Sequence, residues 1–133
     1  MIFCFSAWTL LSSPVQLSCN FDTIDDFTLD LFSNEELLAV NQDVTDHTVM
    51  IRNETAYDNA GRTVREIRVY RKALTDGSAA YGFFNFSETP QPYEFPLDRE
   101  QNVRDLSACR TLGKTDRPVM LLPRHGARVL KIG

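Results

Sequence analysis

A turn signal between two β-type runs most constrains the fold of this chain. Thr75-Asp76-Gly77-Ser78 separates residues 64–73 from residues 79–86, and both runs are rich in β-branched and aromatic residues. Asp-Gly pairs tolerate the positive φ angles of tight hairpin turns, so the segment predicts an antiparallel hairpin. Further short runs are separated by Pro, Gly and Asn, at residues 48–52, 93–97, 103–106, 119–122 and 128–132. Short strands at regular spacing predict a mainly β fold with an antiparallel β-sandwich.

The first forty residues have a different pattern. An apolar run over residues 3–11 predicts a helix that ends at Ser12-Ser13-Pro14, and residues 15–19 predict a short strand. Residues 25–40 predict helical structure again, which completes a helix-strand-helix order. That order is typical of parallel α/β proteins.

Two capping signals divide the second helical stretch. Asp25 is a candidate N-cap for a helix whose apolar residues Phe27 and Leu31 share one face. Ser33 and Glu36 have the spacing of a capping box, with Ser33 as N-cap and Glu36 at the third helical position. The sequence therefore predicts two short helices in succession.

Charge divides the chain at a similar place. No lysine or arginine precedes Arg52, whereas eight of the eighteen acidic residues do, and all fourteen basic residues lie from Arg52 onward. A change this abrupt predicts two structural units, which we assign to residues 1–43 and 44–133. The basic residues are dispersed among the strands, so no nucleic-acid partner is predicted.

Length and hydropathy exclude further classes. With 133 residues, the chain is too short for a complete (β/α)₈ barrel, which needs about 250. The apolar start of the chain is shorter than the roughly 20 residues of a membrane span. It also lacks the positive charge with which a secretory signal begins, so neither a membrane segment nor a signal peptide is predicted. The compartment stays open.

Few residues suggest chemistry. Cys4, Cys19 and Cys109 form no C-x-x-C motif and are predicted to be buried free thiols rather than zinc ligands or a redox pair. The carboxylates at the start of the second helical stretch suit helix capping better than catalysis; they are Asp22, Asp25 and Asp26. His47 and His125 are predicted in a linker and a turn. No catalytic residue, metal site or cofactor is predicted.

Two features of the β region leave alternatives open. Its aromatic residues fit either a sugar-stacking platform or the sandwich core, and their period-2 placement favours the core; they are Tyr70, Tyr81, Phe83, Phe84, Phe86, Tyr93 and Phe95. Asn53-Glu54-Thr55 and Asn85-Phe86-Ser87 match the N-glycosylation sequon, which matters only in a eukaryotic secretory pathway.

Several segments together resemble glycoside hydrolase family 27, the family of α-galactosidases. The most specific is Glu35-Glu36-Leu37-Leu38-Ala39-Val40-Asn41-Gln42-Asp43, which resembles the family's "evIAiNQD" stretch. Others are similar to its W-x-L-x-x-x-P stretch, its "DGS" hairpin and its "vrDLW" and "pphGarvLki" ends. In this chain they are Trp8 to Pro14, Arg68 to Asn85, Val103 to Leu106, and Pro123 to Leu130.

The resemblance implies a (β/α)₈ barrel followed by a C-terminal antiparallel β domain. It identifies residues 1–43 as a remnant of the barrel's end, with its last helices and eighth strand, and residues 44–133 as the β domain. Asn41-Gln42-Asp43 would lie at their junction. Cys19 and Asn20 would lie at the end of the last barrel strand, where a packing role is favoured over a place at the rim of the barrel's pocket. The β domain would brace the barrel.

The resemblance also sets limits on activity. The family's two catalytic aspartates belong to earlier barrel strands, and their motifs have no counterpart here. The chain alone is therefore predicted to be inactive, with no substrate-binding residue assigned. A galactoside-type carbohydrate is the substrate that the resemblance implies for the parent enzyme. Such enzymes are typically secreted, periplasmic or lysosomal.

Other functions compete with this one. The chain is alternatively an autonomous β-sandwich that binds carbohydrate or a protein partner, or a structural component of an oligomer. Self-association through the apolar N-terminal segment would suit either role. Without a barrel to cover, residues 1–43 are expected to be poorly ordered, repacked on the sandwich or buried in a self-assembly.

Overall fold

The computed structural model describes residues 2–11, 25–44 and 48–133. Three short helices precede eight strands along these residues. The helices are α1 (Ile2–Leu10), α2 (Asp26–Phe32) and α3 (Glu35–Gln42). The strands are β1 (Thr48–Tyr57), β2 (Thr63–Ala73), β3 (Ala79–Asn85), β4 (Gln91–Glu94), β5 (Gln101–Asp105), β6 (Arg110–Thr115), β7 (Val119–Leu122) and β8 (Ala127–Ile132).

The strands form two antiparallel sheets. One has six strands in the order β1-β2-β3-β8-β5-β6, and the other pairs β4 with β7. The predicted hairpin joins β2 to β3, with Ala73 opposite Ala79. Its turn is closed by a hydrogen bond from the Leu74 N–H to the Ser78 carbonyl at 2.9 Å. Gly77 has a φ of 89°, as the Asp-Gly signal predicts.

A hydrophobic core lies between the two sheets and confirms the predicted sandwich. Side chains from the inner face of the six-stranded sheet meet those of the small sheet and its flanking residues. The buried members are Ile67, Val69, Phe83, Tyr93, Phe95, Val103, Met120, Leu122, Leu130 and Ile132.

The opposite face of the six-stranded sheet is covered by helices. A second core joins α1, α2 and α3 to that face, with buried members Leu10, Leu31, Leu37, Val40, Leu74, Ala80, Phe84, Leu106, Ala127 and Val129. The neighbours Phe83 and Phe84 thus lie in different cores, as the alternation of a strand requires. For residues 1–43 we expected poor order, packing on the sandwich, or burial in a self-assembly. The described helices are packed on the sandwich.

Two strands differ from the sequence prediction. β6 was not predicted, and β1 extends to Tyr57 rather than ending at residue 52. Both are the outermost strands of the six-stranded sheet. Their side chains are mostly exposed or half-buried, so their sequences show no alternation of polar and apolar residues. Backbone pairing holds them in place, and side-chain patterns do not reveal such strands.

The helix caps correct one prediction and confirm another. The Asp25 side chain accepts a hydrogen bond from the Thr28 N–H, so Asp25 is the N-cap of α2 as predicted. The predicted cap Ser33 is wrong, because the N-cap of α3 is Asn34. Phe27 also departs from prediction: its side chain is exposed, whereas Leu31 is buried.

Some predictions fall outside the described residues. These are the strand at residues 15–19, the alternative roles of Cys19 and Asn20 at its end, and also Asp22 and His47. No helix in the described part of the chain has the length and hydrophobicity to span a membrane.

Candidate functional site

The C-terminal end of α3 is bound to the sheet by a buried lysine. Lys72 lies on β2 with its side chain fully buried. Its ammonium donates hydrogen bonds to the Val40 carbonyl at 2.5 Å and to the Asp43 carbonyl at 3.5 Å. The last carbonyls of a helix have no partner within the helix and carry partial negative charge. Lys72 therefore satisfies the end of α3 and ties it to β2.

Asp43 makes a second connection from the same helix end. Its carboxylate accepts hydrogen bonds from the Thr75 N–H at 3.2 Å and from the Thr75 hydroxyl at 2.9 Å. Thr75 belongs to the turn between β2 and β3. The segment Asn41-Gln42-Asp43, predicted to mark a junction, thus lies where α3 meets the β2–β3 hairpin.

The N-terminal end of α3 is fixed to β5 and the turn after it. The Asn34 side-chain oxygen accepts hydrogen bonds from the Glu36 and Leu37 N–H groups, and its amide nitrogen donates to the Leu106 carbonyl at 2.8 Å. Two residues on, Glu36 pairs with Arg104 of β5 through two hydrogen bonds of 2.7 and 2.6 Å. These bonds from Arg104 hold the pKa of the Glu36 carboxyl below its usual value, against the effect of partial burial. Both ends of α3 are therefore anchored.

A cavity of about 300 Å³ lies between these contacts. Its charged lining consists of two carboxylate–cation pairs and Asp43. One pair is Glu36 with Arg104, and the other is Asp76 with Lys131 at 2.7 Å. The hydrogen bond from Lys131, with those from Ser78, holds the pKa of Asp76 well below its usual range. Carboxyl groups with lowered pKa values stay ionised near neutral pH, so this arrangement suits structural pairing better than proton donation.

A wider cavity of about 620 Å³ lies at the N-terminal end of α3. It lies between the α2–α3 turn and the turn after β5, and its lining includes Phe27, Asp30, Glu35, Ser107 and Cys109. The aromatic ring and carboxylates at its mouth belong to exposed residues. The side chains that line this cavity do not form a buried group of acid, base and nucleophile.

The prediction of buried free thiols is correct about the free state of the cysteines and wrong about their burial. Cys4 and Cys109 are both free thiols, as predicted, but both are exposed rather than buried. Cys4 lies on the face of α1 turned away from the sheet. Cys109 lies in the turn between β5 and β6 with a φ of 50°. Among residues 2–11, 25–44 and 48–133, no group of three or more His, Cys, Asp or Glu side chains is arranged to hold a metal ion.

The aromatic side chains lie mainly in the cores. Phe83, Phe84, Tyr93 and Phe95 are buried, whereas Tyr70, Tyr81 and Phe86 are half-buried. Burial raises the pKa of Tyr93 to about 12, and the neighbouring Glu54 adds to the shift. The prediction that these aromatic residues form the core therefore holds for Phe83, Phe84, Tyr93 and Phe95. None of these four rings has an open face on which a sugar could stack.

Arginine side chains cover the edges of this aromatic core. The guanidinium of Arg52 lies 4.8 Å from the centre of the Phe95 ring, and that of Arg65 lies 5.9 Å from the Tyr93 ring. Such stacking is typical of cation–π contacts. These two arginines therefore lie against aromatic rings of the core between the sheets.

His125 and Asp25, two other titratable residues considered from the sequence, both form hydrogen bonds with residues of the fold. His125 is exposed in a turn with a φ of 48°, and its Nε2 lies 3.2 Å from Glu88. The hydrogen bond with His125 lowers the pKa of Glu88. Asp25 has a lowered pKa because the Thr28 side chain and backbone both donate to it. The turn assignment of His125 and the capping role of Asp25 are as predicted.

Sequence reasoning missed the anchoring residues Lys72, Asn34 and Arg104. Lys72 follows two half-buried residues in β2 and looks like an ordinary exposed strand residue. Its partner carbonyls are 29 and 32 residues away in sequence. The only available signal was the resemblance, whose motifs include the segments in which Lys72 and Arg104 occur.

Comparisons with known proteins agree with the predicted resemblance. No model of a protein family matches the chain. The chain is 25% identical to a probable α-galactosidase from Dictyostelium discoideum, over 96% of this chain and 34% of that protein. It therefore spans about a third of that relative's length.

Two solved structures have a similar fold over 98% of this chain. One is a family 27 β-L-arabinopyranosidase from Geobacillus stearothermophilus, with 22% identity, a TM-score of 0.74 and 29% of its chain covered. The other is the α-galactosidase of Saccharomyces cerevisiae with raffinose, with 13% identity, a TM-score of 0.82 and 42% of its chain covered. These comparisons confirm the resemblance to glycoside hydrolase family 27 and the mainly antiparallel β fold of this chain.

Proposed function

We propose that this chain is the C-terminal part of an α-galactosidase-like retaining glycoside hydrolase, in which its β domain braces the catalytic barrel. The match to an α-galactosidase along almost the whole chain supports this proposal. In this proposal residues 1–43 belong to the end of the barrel and residues 44–133 form the β domain. The substrate of the whole enzyme is a galactoside-type carbohydrate.

The anchoring of α3 is the observation that carries the bracing role. Under the resemblance, α3 is the end of the last barrel helix. Its first turn is held by Asn34 and Glu36, and its last turn by Lys72 and Thr75. A helix that is held to a sheet at both ends has little freedom to move relative to that sheet. In the proposed enzyme, α3 would therefore support the barrel elements that pack on its other side. Bracing is the function that this geometry supports best.

The same proposal makes the chain inactive by itself, because no residue in it takes the role of either family aspartate. We expect the purified 133-residue chain to hydrolyse 4-nitrophenyl α-galactoside no faster than buffer. The α-N-acetylgalactosaminide and β-L-arabinopyranoside analogues should give the same result. An active family 27 α-galactosidase serves as the positive control. Hydrolysis that copurifies with the chain through two chromatographic steps would contradict the proposal.

An autonomous carbohydrate-binding module is the alternative. Its distinguishing feature would be saturable binding of galactose or raffinose, measured by isothermal titration calorimetry on the isolated chain. The burial of four core aromatics supports the bracing role over a stacking platform. A saturable heat with galactosides, absent with an unrelated sugar such as maltose, would favour the module instead.

Self-association remains a further proposal for the isolated chain. Leu11, Val49 and Met50 are exposed apolar residues near the junction of α1 with β1. Sedimentation velocity over a hundredfold range of concentration distinguishes the cases. A sedimentation coefficient that rises with concentration supports an association surface, and a constant monomer value contradicts it.

A further inference from the structure

The two N-glycosylation sequons lie in opposite environments. Asn53 is exposed on β1, and the Thr55 hydroxyl of the same sequon donates a hydrogen bond to the Asn53 side-chain oxygen at 3.4 Å. Asn85 is completely buried at the end of β3. The two sites therefore differ in whether a large group attached to the side chain could be accommodated.

The amide nitrogen of Asn85 is fully engaged in the fold. Its Nδ2 donates to the carbonyls of Thr89, Leu122 and Pro123 at 3.0, 3.2 and 3.0 Å. Its side-chain oxygen accepts a hydrogen bond from the Ser87 N–H at 2.8 Å. An oligosaccharide on Nδ2 would replace one of its two N–H donors and displace the chain around it, so it is incompatible with the folded state.

Strand β1, which carries Asn53, exposes apolar side chains at one edge of the six-stranded sheet. Among the described strands, β1 lies at one end of the six-stranded sheet. Val49, Met50 and Ile51 follow one another on it, with 52%, 50% and 40% of each residue exposed. An exposed edge strand with apolar side chains favours pairing between molecules, which native proteins suppress by covering the edge.

We propose that Asn53 is an N-glycosylation acceptor when the chain enters a eukaryotic secretory pathway, and that its glycan shields the exposed edge of β1. Asn85 stays unmodified in folded protein. The donor is an oligosaccharide linked through pyrophosphate to a lipid. A bond forms between Asn53 Nδ2 and the anomeric carbon, the bond from that carbon to the pyrophosphate oxygen breaks, and the amide nitrogen loses a proton. The lipid pyrophosphate is the leaving group.

The test is secretion of the full chain from yeast behind a cleavable signal peptide. The folded fraction is isolated from medium and cells by its resistance to trypsin, then treated with peptide N-glycosidase. We expect a mobility shift equal to one glycan, with the modified peptide containing Asn53. The shift should vanish in Asn53→Gln and Thr55→Ala, and persist in Thr55→Ser and Ser87→Ala.

Each outcome decides the proposal. Folded wild-type chain without a glycan overturns it, as does a shift that survives Asn53→Gln and is lost in Ser87→Ala. A third outcome is that only the Ser87→Ala variant gives folded protein, which would mean that modification at Asn85 has blocked folding of the wild-type chain. The glycan on Asn53 is then assessed in the Ser87→Ala variant. For the shielding role, we expect glycosylated chain to aggregate at least severalfold more slowly than the unglycosylated Asn53→Gln chain from the same host. Equal aggregation rates overturn the shielding.

Discussion

Lys72 joins the C-terminal end of α3 to the sheet through a fully buried side chain. A charged ammonium is seldom fully buried unless partners compensate for the water it loses. Here the compensation comes from backbone carbonyls at the end of α3, which carry the negative pole of the helix. A lysine reaches these atoms because its four-carbon stem spans the distance from β2 to the helix and packs along apolar neighbours.

Replacement of this lysine tests the anchoring. Lys72→Met keeps most of the side-chain volume but removes the donors to Val40 and Asp43. We expect the free energy of unfolding to fall by about 1.5–3 kcal/mol, the usual range for hydrogen bonds to a charged group. Urea denaturation followed by circular dichroism measures the change.

The exposed Lys114 of β6 supplies the matched control. Lys114→Met should change the free energy of unfolding by less than about 0.5 kcal/mol. Equal effects of the two substitutions would show that Lys72 does not anchor the helix.

At the scale of single elements, α3 shows how a cap is selected by its surroundings. Both Ser33 and Asn34 are residue types that cap helices well, and the spacing to Glu36 favours Ser33. In the structure the N-cap is Asn34, whose amide has its donor and its acceptor on different atoms. The donor reaches the Leu106 carbonyl on another element, while the acceptor caps the helix. A serine carries its donor and its acceptors on a single oxygen, whereas asparagine places them on two separate atoms of a longer side chain.

This choice of cap has a direct test. Asn34→Ala should lower the free energy of unfolding by about 1–2 kcal/mol, as measured for other N-caps. Ser33→Ala should lower it by less than about 0.5 kcal/mol, because Ser33 is exposed. Thermal and urea denaturation of both variants give the comparison. The reverse order of effects would restore the capping box predicted from the sequence.

At the scale of the whole molecule, the described residues form three stacked layers: helices, a six-stranded sheet and a two-stranded sheet. The close contact between the first two layers depends on Gly82 of β3. A Cβ atom at this position would overlap the Leu10 side chain of α1 and come within 2.7 Å of the Phe84 ring. The edge-to-face contacts of Phe3 with Phe84 and Phe86 lie beside this point, with ring centres 5.1 and 4.9 Å apart.

A double-mutant cycle measures how closely α1 packs. Gly82→Ala should destabilise the chain by about 1–3 kcal/mol, as expected for overpacking of a core. In a Leu10→Ala background the cost of Gly82→Ala should be smaller by at least about 0.5 kcal/mol, because one of the two clashing groups is gone. Strict additivity of the two substitutions would indicate that α1 does not lie against Gly82 in solution.

The sequence by itself determined the features that depend on neighbouring residues. The Asp76-Gly77 turn, the short strands beside it and the cap at Asp25 all follow from local turn chemistry and from the two-residue period of a strand. The resemblance to glycoside hydrolase family 27 could also be found this way, because its motifs are contiguous. These predictions concern residues that are close together in the sequence, so local sequence patterns are enough to reveal them.

Only the tertiary structure decided the features that join distant residues. It showed that other elements pack on both faces of the inner strands of the large sheet, that Lys72 meets the end of α3, and that Asn34 rather than Ser33 caps that helix. It also separated the two sequons, since only Asn85 meets carbonyls from β7 and its flanking residue. In each case the partner atoms come from other elements, so the burial and the hydrogen bonds exist only once the layers have assembled.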